Sequence, residues 1–198
     1  RAAVLWRVRD HFRAQRAHLV VLSMGARVCL DFWKRHPAKI ATLTLAAASA
    51  GMHDAVGVAA RQKFLDDRRR PLVEGGTTAD MAARVAPGLV AAAASDAVRQ
   101  RAFLSLSALR KESYLKALET VTWYTDFPPF ESISVPTLVI SGTEDPLAPP
   151  SISEAMAARI PGARRVLIED CGHLCNFERP DAFNAALGDF LSAADARV

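Results

Sequence analysis

The chain has 198 residues, of which 51% are hydrophobic and 23% are charged. This length and composition are typical of one folded domain with a core, and they exclude a disordered protein. The net charge of +4 is not accompanied by a basic stripe interleaved with aromatic residues, so nucleic acid is not expected as a partner. The densest basic run, Arg68-Arg69-Arg70, is interpreted as the solvated end of a helix.

The cysteines and the start of the chain indicate its setting. Three cysteines are too few, and odd in number, for a disulfide framework, and they favour a reduced, cytoplasmic location. No apolar stretch reaches the roughly 20 residues that span a bilayer and no signal peptide is visible, so no membrane partner is expected. The chain lacks a first methionine and begins inside a helical pattern that carries Val4, Leu5, Val8 and Phe12. We therefore expect that its front part is missing.

Four short apolar runs are typical of buried strands: residues 19–22, 40–47, 137–141 and 165–169. Helical patterns separate several of them, which predicts a parallel sheet built from crossover units. A last helix is predicted to begin near Pro180 and to bury one apolar stripe, formed by Phe183, Leu187, Phe190 and Leu191.

A long excursion without a convincing strand separates the second and third strands. Thr78, Ser95 or Asp96, and Ser113 are candidate caps of its helices. Several short helices at this place predict a helical cap over the carboxyl ends of the sheet. The predicted division is a partial core over residues 1–50 and 131–198 and a cap over residues 51–130.

Ser23 ends the first apolar run, and an amphipathic stretch over residues 27–36 follows it. This pattern predicts a strand, a sharp turn and a helix, with the serine at the tip of the turn. Such a turn lifts the hydroxyl above the end of a parallel sheet, at the N-terminus of a helix. The backbone N–H of Met24, at the start of that helix, is the predicted donor to an oxyanion.

Asp145 and His173 each follow a later predicted strand, in Gly142-Thr143-Glu144-Asp145 and in Gly172-His173. Taken singly, the serine is more often a helix cap, the aspartate a turn residue and the histidine a packed or surface imidazole. Together they follow separate strands in the order Ser, Asp, His, and parallel strands end at one edge of a sheet. That order favours a nucleophile, a base and a carboxylate that orients the base.

Two further groups of residues are candidates for sites. Cys171, His173 and Cys175 could ligate a metal, but their spacing is unusual for zinc and no fourth ligand is close, so no metal is predicted and the thiols are interpreted as packing. No glycine-rich phosphate loop follows a strand, so no cofactor is expected. Trp123 and Tyr124 are candidates for the substrate pocket, with cap-on-core packing as the alternative.

These motifs resemble the α/β-hydrolase superfamily from the serine turn to the end of the chain. Val21-Leu22-Ser23-Met24-Gly25 matches the nucleophile elbow at four of five places, and the loops that carry Asp145 and His173 match the acid and histidine loops. Residues 22–25 and 172–184 are most similar to 3-oxoadipate enol-lactonase-like hydrolases and small esterases. The resemblance implies an α/β-hydrolase fold with a mostly parallel sheet, flanking helices, a helical cap and a Ser-His-Asp mechanism.

The chain departs from the family in two ways. Val21 stands where the elbow has its first glycine, so a β-branched side chain is expected to crowd the turn. The family also has strands before the elbow and a loop that donates a second oxyanion N–H, which these residues lack. Without them the first strand would be an exposed edge, so a homo-oligomer or a separate N-terminal segment is expected to complete the sheet.

The hypothesis from the sequence is a cofactor-free serine hydrolase that cleaves a small or medium, mainly hydrophobic carboxylic ester or lactone. Ser23 would attack, His173 would act as base and acid, Asp145 would orient His173, and an acyl-enzyme would form. Val21 and the lacking oxyanion loop favour one alternative, a non-catalytic homologue that binds a small molecule under the cap. A perhydrolase or acyltransferase with the same three residues is the other alternative.

Overall fold

A computed structural model describes residues 2–50 and 57–196. Its sheet has four parallel strands in the order β1-β2-β3-β4. All four coincide with the apolar runs of the sequence to within two residues, which confirms the predicted parallel sheet. The strands are β1 Ala17–Leu22, β2 Ile40–Ala46, β3 Thr137–Gly142 and β4 Arg164–Ile168.

Helices connect the parallel strands, as parallel pairing requires. Helix α1 precedes β1, α2 joins β1 to β2, α3 to α6 lie between β2 and β3, α7 joins β3 to β4, and α8 and α9 follow β4. In the described part of the chain, every helix is too short or too polar to span a bilayer. The bounds are α1 Ala2–His11, α2 Gly25–Arg35, α3 Val58–Val73, α4 Thr78–Val85, α5 Asp96–Ser107, α6 Lys111–Trp123, α7 Pro150–Arg159, α8 Cys175–Glu178 and α9 Pro180–Asp195.

Helices cover both faces of the sheet because side chains alternate along each strand. In β3, Val139 packs with α2 and α7, whereas Leu138 and Ile140 pack with α9 on the opposite face. Helix α9 begins at Pro180 as predicted, and the predicted stripe packs into this second cluster. The core therefore lies on both sides of β2 and β3.

Helices α3 to α6 bury a cluster of their own, which includes Leu72 and Leu118. Met24, Leu147 and Leu174 pack against that cluster, and they follow β1, β3 and β4 respectively. These helices therefore lie over the carboxyl edge of the sheet. The division of the chain into a core and a cap domain stays a prediction.

Two predicted helix caps are wrong. The cap of α4 is Thr77, not Thr78, because Thr77 is extended and its hydroxyl accepts from the Asp80 N–H at 3.2 Å. Ser113 lies inside α6, which begins at Lys111. Ser95, which caps α5, is confirmed and leaves Asp96 as the first helical residue.

The basic run differs from its interpretation at one residue. Arg69 and Arg70 lie on the exposed face of α3 and pair with Glu119 and Glu74. Arg68, in contrast, is only 8% exposed, and its guanidinium lies over the Phe64 ring at 3.8 Å from the ring centre. Burial lowers the pKa of Arg68. Two arginines of the run are thus exposed to solvent, and Arg68 is buried among the helices.

Candidate active site

Ser23 forms a strained turn between β1 and α2. Its φ of 50° lies in the left-handed region, which a residue with a side chain adopts only at a free-energy cost. The Ser23 N–H donates to the Ala46 carbonyl at 2.9 Å, and the Ala26 N–H donates to the Ser23 carbonyl at 3.0 Å. Backbone hydrogen bonds on both sides thus hold the serine at the tip of the predicted turn.

Gly25 provides the space that Val21 takes in this turn. A Cβ at Gly25 would lie 3.2 Å from the Cβ of Val21, closer than most such contacts in proteins. Gly25, at the second glycine position of the elbow, therefore permits the close approach of strand β1 and helix α2. The β-branched side chain fits because Gly25 has none.

The structure brings together the three side chains that the sequence singled out. The Nε2 atom of His173 lies 2.7 Å from the Ser23 Oγ. Its Nδ1 atom lies 2.9 Å from Oδ2 and 3.0 Å from Oδ1 of Asp145. Asp145 and His173 are only 2% and 4% exposed, so bulk water is excluded from their contact.

The Asp145 carboxylate determines the arrangement of protons on the imidazole. Its Oδ1 also accepts from the Leu147 and Ala148 N–H groups, at 2.8 and 3.0 Å, which fixes the carboxylate in its loop. Because a carboxylate accepts, the Nδ1 of neutral His173 carries the proton and Nε2 presents its lone pair to the serine hydroxyl. This arrangement allows His173 to remove the proton of Ser23.

Buried Glu178 anchors the loop that carries His173. One carboxylate oxygen accepts from the Ala91 N–H at 2.7 Å and the Gly172 N–H at 3.0 Å, and the other accepts from the Leu174 N–H at 3.2 Å. The backbone N–H of His173 donates to the Leu89 carbonyl at 3.0 Å. Sequence reasoning missed Glu178, because only the folded chain shows that its carboxylate turns back to the histidine loop and reaches Ala91, 87 positions away.

The backbone N–H of Met24, the predicted oxyanion donor, lies between Ser23 and the first turn of α2. It donates no hydrogen bond to any residue that the structure describes. Its role as an oxyanion donor stays a prediction.

The geometry of this site is matched by a known family. A family model described as alpha/beta hydrolase fold matches residues 2–180. The chain belongs to this family. The relationship agrees with the resemblance that the sequence motifs carry.

Individual relatives match this α/β hydrolase over different lengths. A Klebsiella pneumoniae protein, provisionally named as the carbamate hydrolase RutD, is 39% identical over 83 residues, which are 42% of this chain and 31% of that protein. A 2-hydroxy-6-oxononadienedioate/2-hydroxy-6-oxononatrienedioate hydrolase of Cupriavidus pinatubonensis is 27% identical over 95% of this chain and 66% of its own length. The chain thus spans less than two thirds of these relatives.

Two solved structures resemble this α/β hydrolase in sequence as well as fold. The enol-lactonase of Burkholderia xenovorans LB400 has a TM-score of 0.81 and 28% identity, over 96% of this chain and 71% of that one. A thermophilic esterase of Thermogutta terrifontis has a TM-score of 0.84 and 25% identity, over 98% of this chain and 71% of that one.

Two cavities meet at Ser23 in this α/β hydrolase. The larger has a volume of about 320 Å³, contains His173, and is lined mainly by apolar residues of the helical layer and its loops. The smaller has a volume of about 160 Å³ and contains two cationic side chains, Arg27 and Arg61. Four residues line both cavities, namely Ser23, Met24, Phe64 and Leu147.

Trp123 and Tyr124 are not among the residues that line these two cavities. Trp123 lies under the Arg61 guanidinium, 5.3 Å from it, and is 41% exposed. The Tyr124 hydroxyl donates to Asp31 at 2.9 Å, one turn along α2 from Arg27, and burial raises the pKa of Tyr124 to about 12. The role of Trp123 and Tyr124 in substrate binding stays a prediction. Trp123 contacts Arg61, which lines the smaller cavity.

The cysteines of this α/β hydrolase are buried and free. The interaction of the Cys171 thiol with Cys175, followed by burial, raises the pKa of Cys171, and burial raises the pKa of Cys29 to about 12. Both thiols therefore stay protonated at neutral pH and are poor nucleophiles. In the described ranges no three His, Cys, Asp or Glu side chains group in a way that could hold a metal ion.

Proposed function

We propose that this protein is a serine hydrolase that cleaves a carboxylic ester or lactone through an acyl-enzyme. The observation that carries the proposal is the distance of 2.7 Å between the Ser23 Oγ and the His173 Nε2, with Asp145 behind the imidazole. A serine hydroxyl is a weak nucleophile until a neighbouring base takes its proton, and this geometry supplies that base.

The first half of the proposed reaction forms the acyl-enzyme. Ser23 Oγ attacks the carbonyl carbon while Nε2 of His173 takes the hydroxyl proton, and Asp145 stabilises the imidazolium. The carbonyl oxygen becomes an oxyanion, which accepts a hydrogen bond from the Met24 N–H. The bond to the leaving oxygen then breaks, and His173 gives its proton to that oxygen.

The second half returns the enzyme to its starting state. His173 removes a proton from water, the resulting hydroxide attacks the acyl carbon, and the bond to Ser23 Oγ breaks. The proton on His173 returns to the serine, and the carboxylic acid leaves. No redox step and no cofactor enter this sequence, and a second oxyanion donor from a segment before β1 stays a prediction.

The names of the relatives support the reaction class. They include an esterase, an enol-lactonase and hydrolases of other substrates. Because this family uses similar sites on many substrates, the names do not identify the ester.

Labelling by a fluorophosphonate and hydrolysis of 4-nitrophenyl butanoate test the proposal. Ser23→Ala is expected to abolish labelling and to lower kcat by about 10³-fold or more, and His173→Ala is expected to act similarly. Ser192→Ala, on the exposed face of α9, is the matched control and should retain both activities. A folded, monodisperse protein that is neither labelled nor active would support the non-catalytic binding protein instead.

A further inference from the structure

The smaller cavity at Ser23 contains two arginines that no carboxylate in the described ranges neutralises. Arg27 lies on α2, four residues after Ser23, and Arg61 lies on α3. Among the described residues, neither guanidinium forms an ion pair with an acidic side chain. Arg27 donates to the Tyr124 carbonyl at 3.3 Å, and Arg61 lies over the Trp123 ring.

The cavity leaves a donor without an acceptor. The Nε of Arg61 is buried and has no hydrogen-bond partner in the described part of the chain. Burial and the charge of Arg61 lower the pKa of Arg27, but an arginine remains charged at neutral pH. Two like charges and a buried, unsatisfied N–H cost free energy, which a bound anion would offset.

The exposed arginines of the same two helices differ from Arg27 and Arg61 because they pair with carboxylates. On α2, Arg35 lies 2.9 Å from Asp31, and on α3, Arg70 lies 3.1 Å from Glu74. Both are exposed, where an ion pair stabilises little. Arg68 of α3 likewise forms no ion pair among the described residues, but its guanidinium lies over the Phe64 ring and donates to the Phe64 carbonyl at 3.3 Å. Arg27 and Arg61 are the unpaired arginines that line the smaller cavity beside the serine.

The position of His173 indicates which part of a substrate meets these arginines. His173 lines the larger cavity, whose lining is mainly apolar and includes one arginine, Arg68, that is held against Phe64. In the proposed reaction His173 protonates the leaving oxygen. The leaving group must therefore extend into the larger cavity. The acyl chain, bonded to the other side of the carbonyl carbon, is left with the smaller cavity that contains Arg27 and Arg61.

Building on the proposed hydrolysis at Ser23, we propose that the enzyme prefers esters whose acyl chain ends in a carboxylate, bound by Arg27 and Arg61. A guanidinium presents a fork of N–H donors that matches a carboxylate, which explains why arginine suits this role. The proposal replaces the mainly hydrophobic acyl group expected from the sequence by an anionic one. The leaving group remains apolar.

Matched pairs of 4-nitrophenyl esters test the selectivity. The mono-esters of adipic, pimelic and suberic acid are compared with the esters of hexanoic, heptanoic and octanoic acid, after subtraction of the uncatalysed rate. For the best-fitting length, kcat/KM is expected to be about 10- to 100-fold higher for the anionic ester, equivalent to about 1.4 to 2.7 kcal/mol. A ratio of one or less at every length would overturn the proposal.

Variants assign the preference to the arginines. Arg61→Met is expected to lower the ratio of kcat/KM for the anionic ester to kcat/KM for the neutral ester by about tenfold or more. Arg61→Lys is expected to retain part of this preference. Lys63→Met removes one charge from the exposed face of the same helix and should keep the ratio. A ratio that survives in Arg61→Met and in Arg27→Met would overturn the proposal, whatever the absolute rates of those variants.

A binding measurement separates this proposal from the proposed reaction. If neither ester series is hydrolysed, the hydrolase proposal fails, but the anion site is still testable by calorimetry with the mono-anilide of pimelic acid and with heptananilide. The anionic anilide is expected to bind at least about tenfold more tightly than the neutral anilide, and this difference in affinity is expected to be smaller in Arg61→Met. Equal affinities for the two anilides would overturn the anion site by itself.

Discussion

Replacement of Glu178 by alanine removes the acceptor of three backbone N–H groups. Two of these groups, on Ala91 and Gly172, are buried and would be left without a partner, at about 1–3 kcal/mol each. We therefore expect Glu178→Ala to lower the free energy of unfolding by about 2–6 kcal/mol. In Glu178→Gln only one terminal atom accepts, so we expect an intermediate loss of about 1–3 kcal/mol.

The assay is equilibrium unfolding in urea, combined with the rate of fluorophosphonate labelling in the absence of urea. Gly172 and Leu174 flank His173, so displacement of their loop should also slow labelling, by about 10- to 100-fold. Glu144→Ala is the matched control, since Glu144 is exposed and, among the residues that the structure describes, its carboxylate accepts from the Ala92 N–H alone. If Glu178→Ala and Glu144→Ala proved equally stable and equally fast, the reasoning about the anchor would be wrong.

Three further predictions concern the serine turn and a buried thiol. Ser23→Gly and Ser23→Ala both lack the hydroxyl, but only alanine retains the strain at φ 50°, so thermal unfolding should show the glycine variant to be about 1–2 kcal/mol more stable. Gly25→Ala should lower the free energy of unfolding by about 1–3 kcal/mol. A double-mutant cycle should show that this loss is mostly absent when Val21 is replaced by glycine. If the loss were the same with valine or glycine at position 21, the 3.2 Å contact would not be its cause. Cys29 has an ordinary pKa of 9.0 and a folded pKa of about 12, so its stabilisation is complete below pH 9 and is lost as pH rises towards 12. The difference in unfolding free energy between wild type and Cys29→Ala should therefore shrink by up to about 1.4 kcal/mol per pH unit above pH 9, and a constant difference would refute this account.

Much of the fold could be predicted from local patterns. The four strands are continuous apolar runs because both faces of the sheet are covered, and the last helix has a stripe at helical spacing. Prediction failed where neighbouring residues compete for one role. Thr77 and Thr78 are chemically alike, and only the backbone angles show which of them caps α4.

The amino-acid order alone identifies the side chains that the serine turn, the acid loop and the histidine loop offer. Each follows its own buried strand, and parallel strands end at one edge, so their meeting follows from the pattern. The surroundings of these side chains become visible only in the folded chain: the anchor at Glu178, the space that Gly25 leaves for Val21, and the arginines beside Ser23. These contacts join residues up to 87 positions apart, as between Ala91 and Glu178. Local periodicity carries no information about such pairs, because they depend on how helices pack over the sheet.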